Sequence, residues 1–229
     1  MSERYVISLG GSLIVPKEID TKFLVNFKKI IGVQVKRGKQ FLVLPGGGST
    51  ARKYQQALRV VTQAPAEAQD WLGIETNRFH AHLVRWALGA KKYAPIMTFR
   101  NFKWGKPDRI VVAVGGIKPG GSSDSSTVLF AKKLGIKTII NLTNVDGVFD
   151  RDPRKFKSAK LIPQMTWKQF RTQFGTSRGP GQHKPFDSSV SWIAEKAGIK
   201  TVILNGRNLK NLENYFNGKK FVGTVIGSA

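Results

Sequence analysis

The chain has 229 residues, long enough for one sizeable core, and its 41% apolar content excludes wholesale disorder. Its 38 Lys and Arg against 14 Asp and Glu leave a formal charge of +24, and it has no cysteine, which excludes disulfides and thiolate metal sites. No apolar run approaches the roughly 20 residues of a membrane span, and strand-like sequence begins at Tyr5 with no signal-peptide pattern, so a cytoplasmic protein without membrane contact is expected.

In chain order, near-continuous apolar runs predict strands at Tyr5–Leu9, Phe41–Leu44, Ile110–Val114, Thr138–Asn141 and Thr201–Leu204. Helical periodicity falls between and beyond them, at about Asp20–Arg37, Thr50–Val61, Ala68–Leu88, Ser123–Leu134 and Ser188–Ala197. Alternation of this kind predicts an α/β fold, a mostly parallel central sheet sandwiched by helices. One domain spans 1–229, with a peripheral basic lobe at about 152–182, rich in Lys, Arg, Pro, Gln and Gly, over the sheet edge.

Glycine-rich turns follow the first four strands: Gly10-Gly11-Ser12, Gly46-Gly47-Gly48-Ser49-Thr50, Gly115 through Asp124, and Thr143 through Val148. Ligands of parallel sheets sit at the carboxyl ends of strands, and glycine lets backbone N–H groups close around phosphate oxygens, so this is a predicted phosphate-binding face. The second turn lacks the Gly-Lys-Ser/Thr ending of a Walker loop; it offers N–H donors at a helix start with Arg52 just inside as a charge-assisted clamp. Acids are missing from residues 21–66, 76–107 and 153–186 but persist at Asp70, Asp124, Asp146, Asp150, Asp152 and Asp187, beside the loops. Turn or helix-cap duty is the plainer reading for Asp146, Asp152 and Asp187. His80, His82 and His183 lack ligand spacing and are expected at the surface.

Taken together, Ile-Ser-Leu-Gly-Gly-Ser (7–12), Gly-Gly-Gly-Ser-Thr-Ala-Arg-Lys-Tyr (46–54), Asp-Trp-Leu-Gly-Ile (70–74), Gly-Gly-Ile-Lys-Pro-Gly-Gly-Ser-Ser-Asp (115–124) and Thr-Asn-Val-Asp-Gly-Val-Phe-Asp-Arg-Asp-Pro (143–153) form an ordered set. With Phe186-Asp187, residues 198–203 and Gly223-Thr-Val-Ile226, this set resembles the amino-acid kinase superfamily, specifically its archaeal-type uridylate (UMP) kinases. The resemblance spans essentially the whole chain and implies ATP- and Mg²⁺-dependent phosphorylation of UMP. It implies that Gly10, Gly11 and Gly48 surround the ATP phosphates, that Arg52 neutralises charge near the transferred group, and that Thr143, Phe149 and Asp152 bracket the adenosine. Gly47 and Asp70 would hold UMP, with Ile117, Lys118, Pro119, Gly120, Gly121, Ser122 and Ser123 wrapping it. Asp124 would organise Mg²⁺ or the basic groups around the phosphates, and no metal is expected on protein ligands alone.

Three departures from the resemblance stand out. Ser8 occupies a position where many members place a lysine, leaving Arg52 and Lys118 as the cations. The charge is far above the family's habit and attracts polyanions, so RNA, the ribosome included, is an expected partner. In 85–106, Arg85, Lys91, Lys92, Arg100, Lys103 and Lys106 interleave with aromatics including Trp104 as candidate RNA contacts, against a core or subunit-contact role for the rings. The alternative function is thus a kinase fold repurposed to bind RNA with catalysis reduced or lost. The helix at about 71–88 lies near the subunit interface in the family, where dense positive charge would oppose the usual homo-oligomer.

Overall fold

The computed structural model describes residues 3–89, 98–100, 102, 104–105, 109–116, 118–176 and 185–227. Seven strands form one sheet: β1 (Arg4–Leu9), β2 (Gln40–Pro45), β3 (Ile110–Val112), β4 (Thr138–Thr143), β5 (Gln164–Thr166), β6 (Lys200–Asn205) and β7 (Thr224–Gly227). Their order is β3-β2-β1-β4-β6-β7-β5. The first five are mutually parallel, β7 runs antiparallel to β6, and β5 runs parallel to β7. The helices are α1 (Gly11–Ile14), α2 (Thr21–Lys36), α3 (Gly48–Val61), α4 (Ala66–Ala87), α5 (Ser123–Leu134), α6 (Trp167–Phe174), α7 (Ser191–Lys196) and α8 (Leu209–Phe216), with a 3₁₀ turn at Ser188–Val190.

Strand alternation sends successive side chains into two separate cores, as a sheet covered on both faces requires. Tyr5, Ile7, Leu9, Phe41 and Val43 pack with Phe27, Ile31, Val84 and Phe216 of α2, α4 and α8. Val6, Leu42 and Leu44 face Phe130 of α5, Trp167 and Phe170 of α6, and Ala194 of α7 on the other side. Ser8 shares the parity of Val6, so its hydroxyl is delivered, buried, to the α5 layer. Within the segment 152–182, β5 and α6 are built into this second core, with Trp167 and Phe170 fully buried and Trp167 Nε1 donating to the Ile199 carbonyl at 2.9 Å; residues 177–182 lie outside the described residues.

The rings predicted to interleave with cations belong partly to this core. Phe99 and Phe102 each pack edge-on against Phe130 at 5.4 Å, and Trp104 packs on Phe102 at 5.9 Å. Trp104 is thus half-buried against the core through Phe102. Arg85 is also corrected: it lies on the inner face of α4, 6% exposed, with its guanidinium 5.1 Å from the Trp86 ring centre. Arg100 is exposed, while Lys91, Lys92, Lys103 and Lys106 lie outside the described residues.

Candidate active site

The site begins where β1 and β2 end side by side. Gly10 donates its N–H to the Leu142 carbonyl of β4 at 2.8 Å, and Gly46 donates to the Leu9 carbonyl at 2.9 Å, so the two glycine turns leave the sheet in contact. Gly48 has φ +58°, and a Cβ placed on it would lie 2.3 Å from the Gly11 carbonyl oxygen; one on Gly11 would lie 2.2 Å from the Gly48 nitrogen. Only glycine fits this approach, which lines up backbone N–H groups at the starts of α1 and α3. Gly47 caps α3, where a Cβ would meet Ala51 of the same helix and Asn77 of α4.

Arg52, one turn into α3, is exposed and reaches a cavity of about 860 Å³. The same cavity is lined by Ser12, Thr143, Phe149 and Asp152, with Asp150, Arg151 and Arg154 at its polar wall. The fold thus brings Arg52 together with Thr143, Phe149 and Asp152, at the carboxyl ends of β1 and β4. Phe149 is held by a bridge to Leu161 and by Gln173 Nε2, which donates to its carbonyl at 2.6 Å. Asp152 accepts from Arg154 Nε and Nη2 at 3.0 Å each, which holds its carboxyl below the usual range.

On the opposite side of the glycine turns, Asp70 Oδ2 accepts the Gly120 N–H at 2.7 Å, so α4 anchors the loop carrying Lys118, Pro119, Gly120 and Gly121. Lys118 is exposed; Ile117 lies outside the described residues. Ser122 caps α5 through a reciprocal box with Ser125 and donates its hydroxyl to Asp187 Oδ2. Ser123 opens α5 behind it, packed under Gly115.

Asp124 joins these parts. It sits in the first turn of α5, where Oδ1 accepts the Ser8 hydroxyl at 3.0 Å and Oδ2 accepts the Asp187 N–H at 3.2 Å. A carboxylate here is favoured by the helix N-terminus as well as by its donors. Asp187 in turn caps the 3₁₀ turn through Ser189 N, as its plainer reading expected, while also receiving Ser122. Asp146 accepts Asn205 Nδ2 at 2.9 Å, tying the β4 loop to the end of β6. No group of three or more His, Cys, Asp or Glu converges on a common metal position among the described residues.

Two residues behind the site were misjudged or missed. His80, expected at the surface, is 2% exposed; its Nδ1 bonds the Gly46 carbonyl at 2.8 Å, so that nitrogen carries the proton. Burial pushes its pKa down, with the Gly46 bond opposing. Asn77, one turn earlier, donates Nδ2 to the Gly115 carbonyl at 2.8 Å. Their i,i+3 spacing on the inner face of an otherwise apolar stripe was the one available signal. Together they fix the second and third glycine turns to a single helix.

The amino acid kinase family matches this chain over residues 3–205. The chain is 35% identical to the uridylate kinase of Thermoplasma volcanium over 228 residues, covering 99% of this chain and 98% of that protein. It is 32% identical to the uridylate kinase of Methanobrevibacter smithii over 229 residues, covering 97% and 98%. The crystal structure of uridylate kinase from Archaeoglobus fulgidus superposes with a TM-score of 0.80 at 31% identity, covering 97% of this chain and 99% of that one. A UMP kinase from Bacillus anthracis, 19% identical with a TM-score of 0.76, shares the fold. The chain belongs to the amino acid kinase family.

Proposed function

We propose that the chain is an ATP-dependent uridylate kinase that converts UMP and ATP to UDP and ADP in the cytoplasm. The observation that carries this reading is the position of Arg52. It stands between the glycine contact, where N–H groups converge, and a cavity bordered by Thr143, Phe149 and Asp152. The uridylate kinases of similar sequence supply the substrate class.

In this reading Gly10, Gly11 and Gly48 receive the ATP phosphates, and the cavity takes the adenosine. Gly47 and Asp70 hold UMP, with the Asp70 carboxylate exchanging the Gly120 N–H for ribose hydroxyls as the 117–123 loop wraps the base. A UMP phosphate oxygen forms the new P–O bond while the γ-phosphorus bond to the ADP oxygen breaks. The attacking phosphate is already ionised at neutral pH, so no base is required, and catalysis rests on alignment and charge. Arg52 supplies that charge, because the Ser8 position carries no cation. Asp124 acts as a positioning group: it holds Ser8, the Asp187 backbone and hence the Ser122 cap in register.

Mg²⁺ would neutralise charge on the transferring phosphates. With no protein cage converging among the described residues, it would be held by the nucleotide, with Asp124 as the carboxylate at the junction of β1 and α5. The reading in which catalysis has been lost rests on Ser8 and the net charge, whereas the close Gly11–Gly48 approach that would cradle phosphates favours the active enzyme.

Steady-state kinetics on two variants test the assignment. Arg52→Ala is expected to lower kcat at least about 100-fold with little change in melting temperature. Asp70→Asn is expected to raise the KM for UMP about 10-fold while leaving the KM for ATP within about twofold. A rise in both KM values for Asp70→Asn, or an unchanged kcat for Arg52→Ala, contradicts the roles given.

A further inference from the structure

The strands β3, β2, β1, β4 and β6 are neighbours and parallel, so their amino ends share one edge, opposite the glycine turns. Each of these five strands is led in by a cation. Arg4 opens β1 and Lys200 opens β6, while Lys39, Arg109 and Lys137 immediately precede β2, β3 and β4. The pairings Arg4↔Gln40, Phe41↔Ile110 and Thr138↔Lys200 set these positions side by side. At about 4.8 Å between strands, the row is about 19 Å long.

Arg4, Arg109, Lys137 and Lys200 are exposed. Lys39 is less so, pairing with Glu3 at 2.9 Å and donating to the Phe216 carbonyl at 3.1 Å. Lys36 and Arg37 end α2 beside the row. The turn after α8 adds Lys219 and Lys220, and Arg37 ties the two helix ends together through Asn217.

Acids are distributed the other way. Asp70, Asp124, Asp146, Asp152 and Asp187 all hold loops at the carboxyl ends. Among the described residues, those placed toward the amino ends are each met by a cation: Glu3 by Lys39, Glu195 by Arg171 and Glu213 by Lys210. Cations ending helices are ordinary complements to the helix dipole. That account covers Lys36, Arg37 and Lys137, whose Nζ donates to the Ala197 carbonyl at the end of α7 at 2.6 Å, but Arg4 and Arg109 lead strands without capping a helix, and Lys200 stands four residues beyond α7.

We propose that this edge docks the phosphate backbone of a nucleic-acid duplex, leaving the nucleotide cavity facing away from it. The contact is to phosphates rather than bases, because the rings at this edge are spent on each other: Tyr5, Phe41 and Phe216 form a buried triple contact at 5.5–5.7 Å. A duplex suits a flat row of charges better than a bilayer does, since the row carries no exposed apolar side chain to insert. This places the polyanion contact on the strand starts rather than on the aromatic rings of the segment 85–106, and on the side of the sheet opposite the glycine turns, which makes it compatible with catalysis.

Fluorescence anisotropy of a fluorescein-labelled RNA duplex tests this with the full chain, stripped of copurifying nucleic acid in high salt and titrated over a KCl series. The edge variant Arg4→Glu/Arg109→Glu/Lys200→Glu is compared with Lys157→Glu/Lys160→Glu/Lys168→Glu, which changes the net charge equally on exposed positions elsewhere. The edge variant is expected to bind at least about 30-fold more weakly at 0.1 M KCl, roughly, with a log–log salt slope flatter by about 3. The control is expected to stay within about threefold of the unaltered chain. Unchanged UMP-dependent ADP formation and a cooperative melt certify the edge variant; should it not melt cooperatively, the same three positions changed to Ala replace it. Equal weakening in both variants, no saturable duplex binding, or tighter binding to phosphatidylserine vesicles than to the duplex overturns the proposal.

Discussion

At the residue scale, two side-chain environments carry most of the site's rigidity. Gly48 combines a left-handed φ of +58° with backbone contact to Gly11, so a methyl group is refused twice. Gly48→Ala is expected to cost at least about 2 kcal/mol, from conformational strain of about 1–2 kcal/mol plus displacement of the Gly11 turn. The matching observation is a lowered melting temperature together with loss of ATP binding by calorimetry. His80 offers a pH test. Its folded pKa lies below the ordinary value of 6.5, so the unfolded chain takes up the proton first. Its contribution is present above about pH 6.5 and is lost progressively as pH falls from there through the lower folded pKa. Denaturant titrations at pH 7.5 and 5.5 are expected to show a larger loss for the unaltered chain than for His80→Gln. Equal losses would mean that His80 is not held neutral by burial.

Among the elements, α4 does the most for the site. It gives His80 to the second glycine turn, and both Asn77 and Asp70 to the third, at Gly115 and Gly120. Its outer face leaves Trp71, Phe79 and Trp86 at 44%, 70% and 50% exposure. Spacings of eight and seven residues put these three on one stripe. The resemblance places this helix near a subunit interface, where the charge is expected to oppose assembly; the exposed aromatic stripe argues the other way and predicts a homo-oligomer through it. Phe79→Asp is then expected to lower the molar mass measured by light scattering, with the far-ultraviolet circular dichroism unchanged. An unaltered chain that is already monomeric would contradict that expectation.

Across the whole molecule, what was legible in the sequence follows burial. The five central strands read as apolar runs because both their faces are covered, and the glycine turns stood at their carboxyl ends as expected. The last two strands of the sheet, β7 and the edge strand β5, escaped notice: Gln164–Thr166 has three residues and Thr224–Gly227 four, too few to show alternation. Helix α6 hid in a run dense with Lys, Arg and Gln, yet it buries Trp167 and Phe170. His80 read as a surface residue and Asn77 drew no notice because the carbonyls they satisfy lie 34 and 38 positions away along the chain. The charge was legible as a total but not as a pattern. Only the strand order reveals that Arg109, Lys39, Arg4, Lys137 and Lys200 form a row, while the acids gather around the loops.

The most direct measurement is phosphorus NMR of the unaltered protein, stripped of nucleic acid, with ATP, Mg²⁺ and UMP. UDP and ADP are expected to appear in equal amounts, with neither formed when UMP is withheld and both suppressed at least about 100-fold by Arg52→Ala. ATP and UMP left unchanged, or ADP released without UDP, would contradict the assignment of this site to phosphoryl transfer onto UMP.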